Sequence, residues 1–378
     1  MINIYGTINA LGYGIHANNM IKAFSDANVD INLTTIGQIQ SDSYFEEYWK
    51  KAQENRINYE MNSPSLFIFH DELSNQANGS PLFVFSIFET TQPKSESIAM
   101  LKNGPASHIL VTTQKHKELL ELQNIGKPIY VVNEGVDDTI YNTIPVDKYI
   151  DTSKFTYLTV GKKEERKKTN LIIKSFIDLM SDKEVALIAH TFNPFANKEN
   201  VHPFKNLMSW SDINPIDYGF EYKGWDGKAH RFTKNKCDII LTAPGLPTTL
   251  MSTLYHSANV GIQISRGEGW DLPLMEMMAC GLPCIATDCL GHSEYLKPST
   301  EDPLIISLDK KEIADDGIWF KGNVGEWSVV NEDCFKQKLL YTWENREKYE
   351  EKSEDLADYT AETFAWSKAV DQFNKLLA

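Results

Sequence analysis

The chain lacks any apolar stretch of membrane-spanning length. Its longest near-continuous apolar run, Pro81 to Phe88, is far short of the ~20 residues a helix needs to cross a bilayer. Cysteine is scarce. Cys237, Cys280, Cys284, Cys289 and Cys334 form an odd set without C-x2-C spacing, which argues against a disulfide framework, a zinc site or a redox dithiol and for reduced, mostly buried thiols. Basic charge is also in deficit, with 37 Lys and Arg against 52 Asp and Glu and a net charge of −15. A broad nucleic-acid-binding face or strong attachment to anionic lipid would require basic patches, so both are disfavoured. Internal repeats and low-complexity tracts are absent. The first residues, Met1 to Tyr5, carry neither a basic n-region nor a long apolar core, so no signal peptide is expected and the cytoplasm is the expected compartment.

What is present is apolar material for packed cores, at 42% of 378 residues, arranged as strand-like runs alternating with amphipathic stretches. Strands are expected near Ile2–Tyr5, Ile31–Thr35, Ser65–Phe69, Phe83–Phe88, His108–Thr112 and Ile129–Val132, with helices near Ile15–Ala27 and Lys115–Gln123. A second series begins after the polar stretch Asp147–Lys154, with strands near Phe155–Val160, Glu184–Ala189, Cys237–Thr242 and Val260–Ser265 and helices near Asn170–Met180, Thr248–Ser257 and Pro273–Cys280. This alternation is an α/β pattern of two consecutive doubly wound, Rossmann-like domains, 1–152 and 153–364. Residues 334–378 read as helical, interrupted around Thr360–Phe364, and the aromatic, Asn-, Pro- and Gly-rich stretch Asn193–Arg231 is the least readable.

The most informative segment runs from Ser265 to Asp288. A buried strand enters it, Gly267 and Gly269 break that strand, Pro273 suits a first helical turn, and Gly281 suits a helix stop. Glu268 falls in the loop at the carboxyl end of the strand and Glu276 near the start of the helix. Open α/β sheets bind ligands along that edge, and a helix N-terminus there offers free N–H groups to an anion. A second loop, Gly161-Lys-Lys-Glu-Glu-Arg-Lys-Lys168, follows the first strand of the second half on the same edge. A third, Gly6 to Ala17, follows the very first strand, and its Gly12 and Gly14 permit close backbone approach to a ligand ahead of a helix opening near Ile15. These glycines also match the dinucleotide fingerprint G-x-G-x-x-A. The loop is long for that fingerprint, however, and strand two ends in Thr34-Thr35 with no acidic residue for a ribose.

From Glu268 to Ile285 the chain reads EGWDLPLMEMMACGLPCI, followed by Gly291-His-Ser-Glu294. This resembles the E-x7-E motif of retaining, family 4-type glycosyltransferases of the GT-B fold, whose pattern is roughly EGFGLPxxEAMAxGxPVI and then GGxxE. Asp271 stands where that pattern has Gly. The loop at Gly161 resembles G-R-x(4)-K-G, with Lys162 replacing the Arg and Lys167 keeping the Lys. Asn133-Glu-Gly-Val-Asp137 resembles the structural N-G-V-D turn near the interdomain crossing.

The resemblance implies two Rossmann-like domains facing a central cleft, with a last helix, about 365–378, crossing back onto the N-terminal domain. It implies a nucleoside-diphosphate sugar as donor substrate, with no cofactor and no metal. No Asp-x-Asp motif for a divalent ion occurs. Glu268 would contact the donor sugar and Glu276 the ribose, while Lys162, Lys167 and backbone N–H groups stabilise the departing diphosphate. Gly12, Gly14, Gly269, Trp270 and Leu272 complete the donor side. Glu89 and His70 are candidates beside the reacting carbon, and His16 is a candidate on the acceptor side. The expected activity is transfer of a sugar with retention to a hydroxyl of a saccharide or other small molecule. The alternatives are a non-catalytic sugar- or nucleotide-binding module of the same fold, a nicotinamide-dependent oxidoreductase and a sugar-nucleotide epimerase. Donor sugar, base, acceptor and oligomeric state are not encoded legibly.

Overall fold

The apolar runs pair into two parallel sheets. The computed structural model describes residues 1–193, 213–243, 245–296, 304–308, 310–322 and 324–377. The first sheet comprises β1 (Ile2–Gly6), β2 (Ile31–Thr35), β3 (Ser65–Ile68), β4 (Leu82–Phe85), β5 (His108–Val111) and β6 (Ile129–Val131) in the order β2-β1-β3-β4-β5-β6. Every pairing in it is parallel. Strands β1, β3 and β4 are buried throughout, as expected of strands covered on both faces.

The second sheet follows with β7 (Phe155–Lys162), β8 (Val185–Phe192), β9 (Glu221–Trp225), β10 (Ala229–Lys234), β11 (Cys237–Thr242), β12 (Val260–Gln263), β13 (Cys284–Thr287) and β14 (Ile305–Ile306). Their order is β14-β13-β12-β7-β8-β11-β10-β9, parallel except for the antiparallel ribbon β9-β10-β11 at one edge. Of its strands, β11 matches the strand expected near Cys237–Thr242, whereas β9 and β10 have no counterpart in the sequence expectation. β9 and the start of β10 fall in the stretch Asn193–Arg231, of which residues 194–212 lie outside the described residues.

In both sheets the chain reverses direction beside the first strand. From β1 it goes to β2 on one side and β3 on the other, and from β7 to β8 on one side and β12 on the other. Crevices form at such switch points, outside the carboxyl ends of the strands. The loops after β1, β7 and β12 therefore meet in one place.

The tail returns to the first sheet. Helices Glu354–Phe364 and Trp366–Leu377 meet at Ala365, the break expected near Thr360–Phe364, and Ala365 bridges to Val136. Phe373 then packs on Phe24 and Phe83 at ring-centroid distances of 5.7 and 4.9 Å. A hairpin of β15 (Lys311–Ile313) and β16 (Glu326–Ser328), also unforeseen, reaches across to the first sheet. There Thr91 N–H donates to the Glu326 carbonyl at 3.1 Å and Glu326 N–H to Thr91 Oγ1 at 2.8 Å.

Local boundaries differ from expectation at the first glycine loop. Gly12 and Gly14 lie inside the first turn of helix Gly12–Asp26 and not ahead of it. A Cβ on Gly14 would sit 2.3 Å from the Asn9 carbonyl oxygen, so only glycine lets the helix start this tightly over the loop. No helix among the described residues is long and apolar enough to cross a membrane.

Candidate active site

The loops converge on a cleft of about 810 Å³ lined from both sheets. Its rim on the second sheet carries Lys162, Lys167, Glu268, Gly269, Leu272 and Glu276, and its rim on the first carries Gly12, His70 and Glu89. Most of the residues singled out from sequence thus occupy one cavity. The glycine-broken loop after β12 is held against the opposite half by direct contacts. Thr112 Oγ1 donates to the Gly269 carbonyl at 2.6 Å, and a Cβ on Gly267 would meet the Glu89 carbonyl oxygen at 2.3 Å.

Glu268 is the centre of the cleft's charge. Its Oε1 accepts from Ser265 Oγ at 2.7 Å and pairs with Lys167 Nζ at 2.8 Å, while its Oε2 pairs with Arg166 Nη1 at 2.5 Å. Burial alone would raise its pKa, but Arg166 and Lys167 outweigh burial and hold it well below the usual carboxylate range. The same geometry raises both cations above their ordinary values: burial opposes the charge on each, and the facing carboxylates overcome it.

Arg166 was not among the sequence candidates, since register against the motif selects Lys162 and Lys167. The turn Glu165–Lys167 tucks its side chain to 3% exposure. Its guanidinium donates to the Gly267 carbonyl, pairs with Glu164 at 2.8 Å and lies 3.8 Å from Glu89. The only sequence signal was an Arg within the charge run. Lys162 sits at the end of β7, paired with Glu164 at 2.7 Å.

Glu276 lies in the second turn of helix Leu272–Ala279 and accepts from Tyr255 Oη at 2.5 Å. Burial pushes its pKa up to about 7, against the lowering effect of hydrogen bonds from Tyr255 and Tyr141. It is a carboxyl group poised between its two states near neutral pH.

The remaining candidates divide. Glu89 is part-exposed in the cleft opposite Arg166, and half-exposed His70 packs its ring on Tyr13 and Phe69 with Glu72 at 3.8 Å. Next to His70, Asp71 is buried and accepts from Ser86 Oγ at 2.5 Å, and burial pushes its carboxyl up. His16 is not on the cleft wall. It is fully buried between Phe85 and Trp366, with Glu134 2.9 Å from Nδ1, because it projects from the inner face of helix Gly12–Asp26. Trp270 turns its ring into the core against Tyr295 and Phe364 and is 2% exposed. Its indole packs in the core while the residue still borders the cleft.

Three positions where the resembled motifs carry glycine hold other residues here, namely Lys168, Asp271 and Leu290. All three keep a positive φ, at 52°, 82° and 35°. The backbone demanded by the loops is retained without glycine, at a cost of order 1–3 kcal/mol each.

Asp271 pairs with Lys167 at 3.3 Å and with His292 Nε2 at 3.1 Å. Ligand atoms of Glu268, Asp271 and His292 lie within 4.8 Å of one another and are the described residues best placed to hold a metal ion. In this arrangement Lys167 and Arg166 already bind the carboxylate oxygens that such an ion would need.

Comparison with known proteins agrees with this architecture. Residues 228–319 match the family described as "Glycosyl transferases group 1". No curated protein matches the sequence. Sucrose-phosphate synthase from Thermosynechococcus elongatus superposes with a TM-score of 0.67 at 12% identity, covering 100% of this chain and 98% of that one. HepE of Anabaena, solved in complex with UDP-glucose, gives 0.63 at 12% identity over 100% and 98%. The lipopolysaccharide outer core galactosyltransferase WaaB gives 0.57 at 16% identity over the same shares. The two sheets facing one cleft are the GT-B fold of glycosyltransferases.

Proposed function

We propose that the protein is a retaining, metal-independent glycosyltransferase that moves a sugar from a nucleoside-diphosphate donor to a hydroxyl of a saccharide or other small molecule. The observation that carries this reading is the buried cluster of Glu268, Arg166 and Lys167 on the carboxyl edge of the second sheet, facing Glu89 across the cleft. Such a cluster suits a reaction in which negative charge develops on a leaving diphosphate. Fixed cations in a water-poor site stabilise that charge without reorganising.

Glu268 is assigned to the donor sugar, Glu276 to the ribose, and Lys162, Lys167 and Arg166 to the diphosphate. Because lysine and arginine supply the positive charge, no divalent ion is required for the step. The bond from the anomeric carbon to the phosphate oxygen breaks, the acceptor oxygen bonds to that carbon from the same face, and the acceptor proton leaves with the diphosphate. Glu89 and His70 lie on the acceptor side, with Asp71 behind them. We read the chain as two domains divided near residue 152, with the last helix returning to the first, and as a cytoplasmic enzyme. The solved relatives that hold UDP or UDP-glucose support a nucleotide-sugar donor.

The test is thermal shift and acceptor-independent hydrolysis with a panel of nucleotide sugars, for wild type and Glu268→Ala, with and without EDTA. A bound donor at ~100 times its dissociation constant should stabilise by about 2.7 kcal/mol. Hydrolysis by wild type, unaffected by EDTA and lost in Glu268→Ala, is the expected result. A clear shift with NAD and none with any nucleotide sugar refutes the reading.

A further inference from the structure

Asp271 occupies the position before helix Leu272–Ala279 where an aspartate normally caps the first turn. Its side chain makes no capping hydrogen bond. It also holds a φ of 82°, which a non-glycine residue adopts at a cost. Two stabilising options are thus given up locally, and the carboxylate is spent elsewhere. One oxygen faces Lys167 Nζ at 3.3 Å and the other faces His292 Nε2 at 3.1 Å, and the side chain is fully buried. His292 is also fully buried. Its Nδ1 lies 2.8 Å from the Thr287 carbonyl oxygen, so both ring nitrogens face acceptors and both must carry protons. The imidazole is therefore an imidazolium, in keeping with a pKa that burial acts to lower but that Cys289, with its Sγ 3.6 Å from Nδ1, and Asp271 raise well above its ordinary value.

The result is a chain of alternating charge, His292 to Asp271 to Lys167 to Glu268, in which Lys167, Glu268 and Asp271 border the cleft, the Asp271 side chain being fully buried, and His292 lies behind them. On the reading of the cleft proposed above, we propose that Asp271 and His292 are a positioning pair for the leaving group: they anchor Lys167 and set the net charge that the donor diphosphate meets. Both side chains are fully buried, so they act on the anion through Lys167. Asp271 restrains the ammonium from one side while Glu268 restrains it from the other, and His292 offsets the negative charge that Asp271 brings behind the anion site.

Opposite partners of one pair should then act in opposite directions. Asp271→Asn removes a negative charge and leaves Lys167 freer to meet an anion, so nucleoside-diphosphate affinity rises. His292→Gln removes a positive charge and leaves Asp271 uncompensated, so affinity falls. Both variants lose the anchored geometry, so turnover falls in both.

The experiment is calorimetric titration of UDP and of GDP into wild type, Asp271→Asn, His292→Gln and the double variant, together with hydrolysis of UDP-glucose and GDP-mannose. The nucleotide that wild type binds more tightly is carried through the series. Expected are affinity tighter by about threefold or more in Asp271→Asn and weaker by about threefold or more in His292→Gln. The double variant should lie within about twofold of wild type, and hydrolysis should fall by about tenfold or more in each single variant. Asp271→Gly, which suits the positive φ, repeats the charge removal should Asn impair folding. Affinity changes of the same sign in both single variants, or none beyond about twofold, overturn the proposal, since a merely structural pair would weaken binding whichever partner is lost. Failure of wild type to bind either nucleotide would instead overturn the transferase reading on which the proposal rests.

Discussion

Replacing Glu276 with Gln should make the protein more resistant to heat at pH 8 while leaving it little changed at pH 5. The Glu276 carboxyl is 8% exposed, hydrogen-bonded by Tyr255, and pushed by burial from 4.5 up to about 7. In the unfolded chain it ionises near 4.5. Between pH 4.5 and 7 the folded protein therefore holds a proton that the unfolded chain has lost, and stability falls as pH rises through this window. Each pH unit withdraws about 1.4 kcal/mol, about 3 kcal/mol over the whole window, and above pH 7 the effect is constant. Gln keeps an oxygen for the Tyr255 hydroxyl and does not ionise. Other shifted groups, such as Asp71 with its raised carboxyl and His116 and His190 pushed down to about 4, are present in both proteins and cancel in the difference. Thermal melts of nucleotide-free wild type and Glu276→Gln at pH 5, 6, 7 and 8 provide the assay. At ~2–4 °C per kcal/mol for a domain of this size, the melting difference should widen by ~5–10 °C between pH 5 and 8 in favour of Gln. A difference that stays constant across that range would refute the argument that Glu276 is buried at a cost in the nucleotide-free protein.

Further outcomes follow from close packing and charge. Gly14→Ala drives a Cβ to 2.3 Å from the Asn9 carbonyl oxygen, so the loop over the cleft must shift, and UDP affinity should fall by at least about tenfold, measured by calorimetry. Arg166→Ala leaves Glu268 and Glu164 buried beside a lost cation and should cost about 3–5 kcal/mol, seen as a large fall in denaturant midpoint, whereas Arg166→Lys should recover part of it. Asp42 Oδ2 accepts from both Thr248 N–H, at 2.7 Å, and Thr248 Oγ1, at 2.5 Å, and so ties the loop after β2 to the first turn of helix Thr248–Tyr255 across the cleft. Asp42→Ala should open the cleft, raising the radius of gyration in solution scattering without nucleotide, and an unchanged radius would show that the tie does not hold the halves together.

The legible part of the site was the part that obeys local rules. Glu268, Glu276 and Lys167 could be placed on the cleft edge because loop glycines, Pro273 and a strand-to-helix spacing fix which edge of a sheet they occupy, whatever the rest of the chain does. Arg166 escaped notice because nothing local distinguishes it from the lysines around it. It is buried only because the loop after β12 brings Glu268 and the Gly267 carbonyl against it, over a hundred residues away in the chain. His16 was misplaced for a similar reason. Its proximity to a glycine loop suggested a cleft residue, but the face of helix Gly12–Asp26 on which it lies is covered by Phe85 and by Trp366 from the far end of the chain. Trp270, inside the best motif, points into the core against Phe364 for the same non-local cause. Strands β9 and β10 and the hairpin β15-β16 were missed because short, part-exposed strands such as Glu221–Trp225 and Lys311–Ile313 carry no run of apolar residues to announce them.

The sequence by itself determined the alternation of strand and helix, the two consecutive series of strands, and the loops that carry charge at the carboxyl ends of the strands, since periodicity and glycine placement are local properties. The tertiary structure decided which charges meet. It put Arg166 and Lys167 on one carboxylate, buried Asp271 against His292, kept His16 off the cleft wall and packed the Trp270 ring against Tyr295 and Phe364. Pairing and burial depend on which distant surfaces are pressed together, and in this chain those surfaces come from opposite halves and from the returning C-terminal helix.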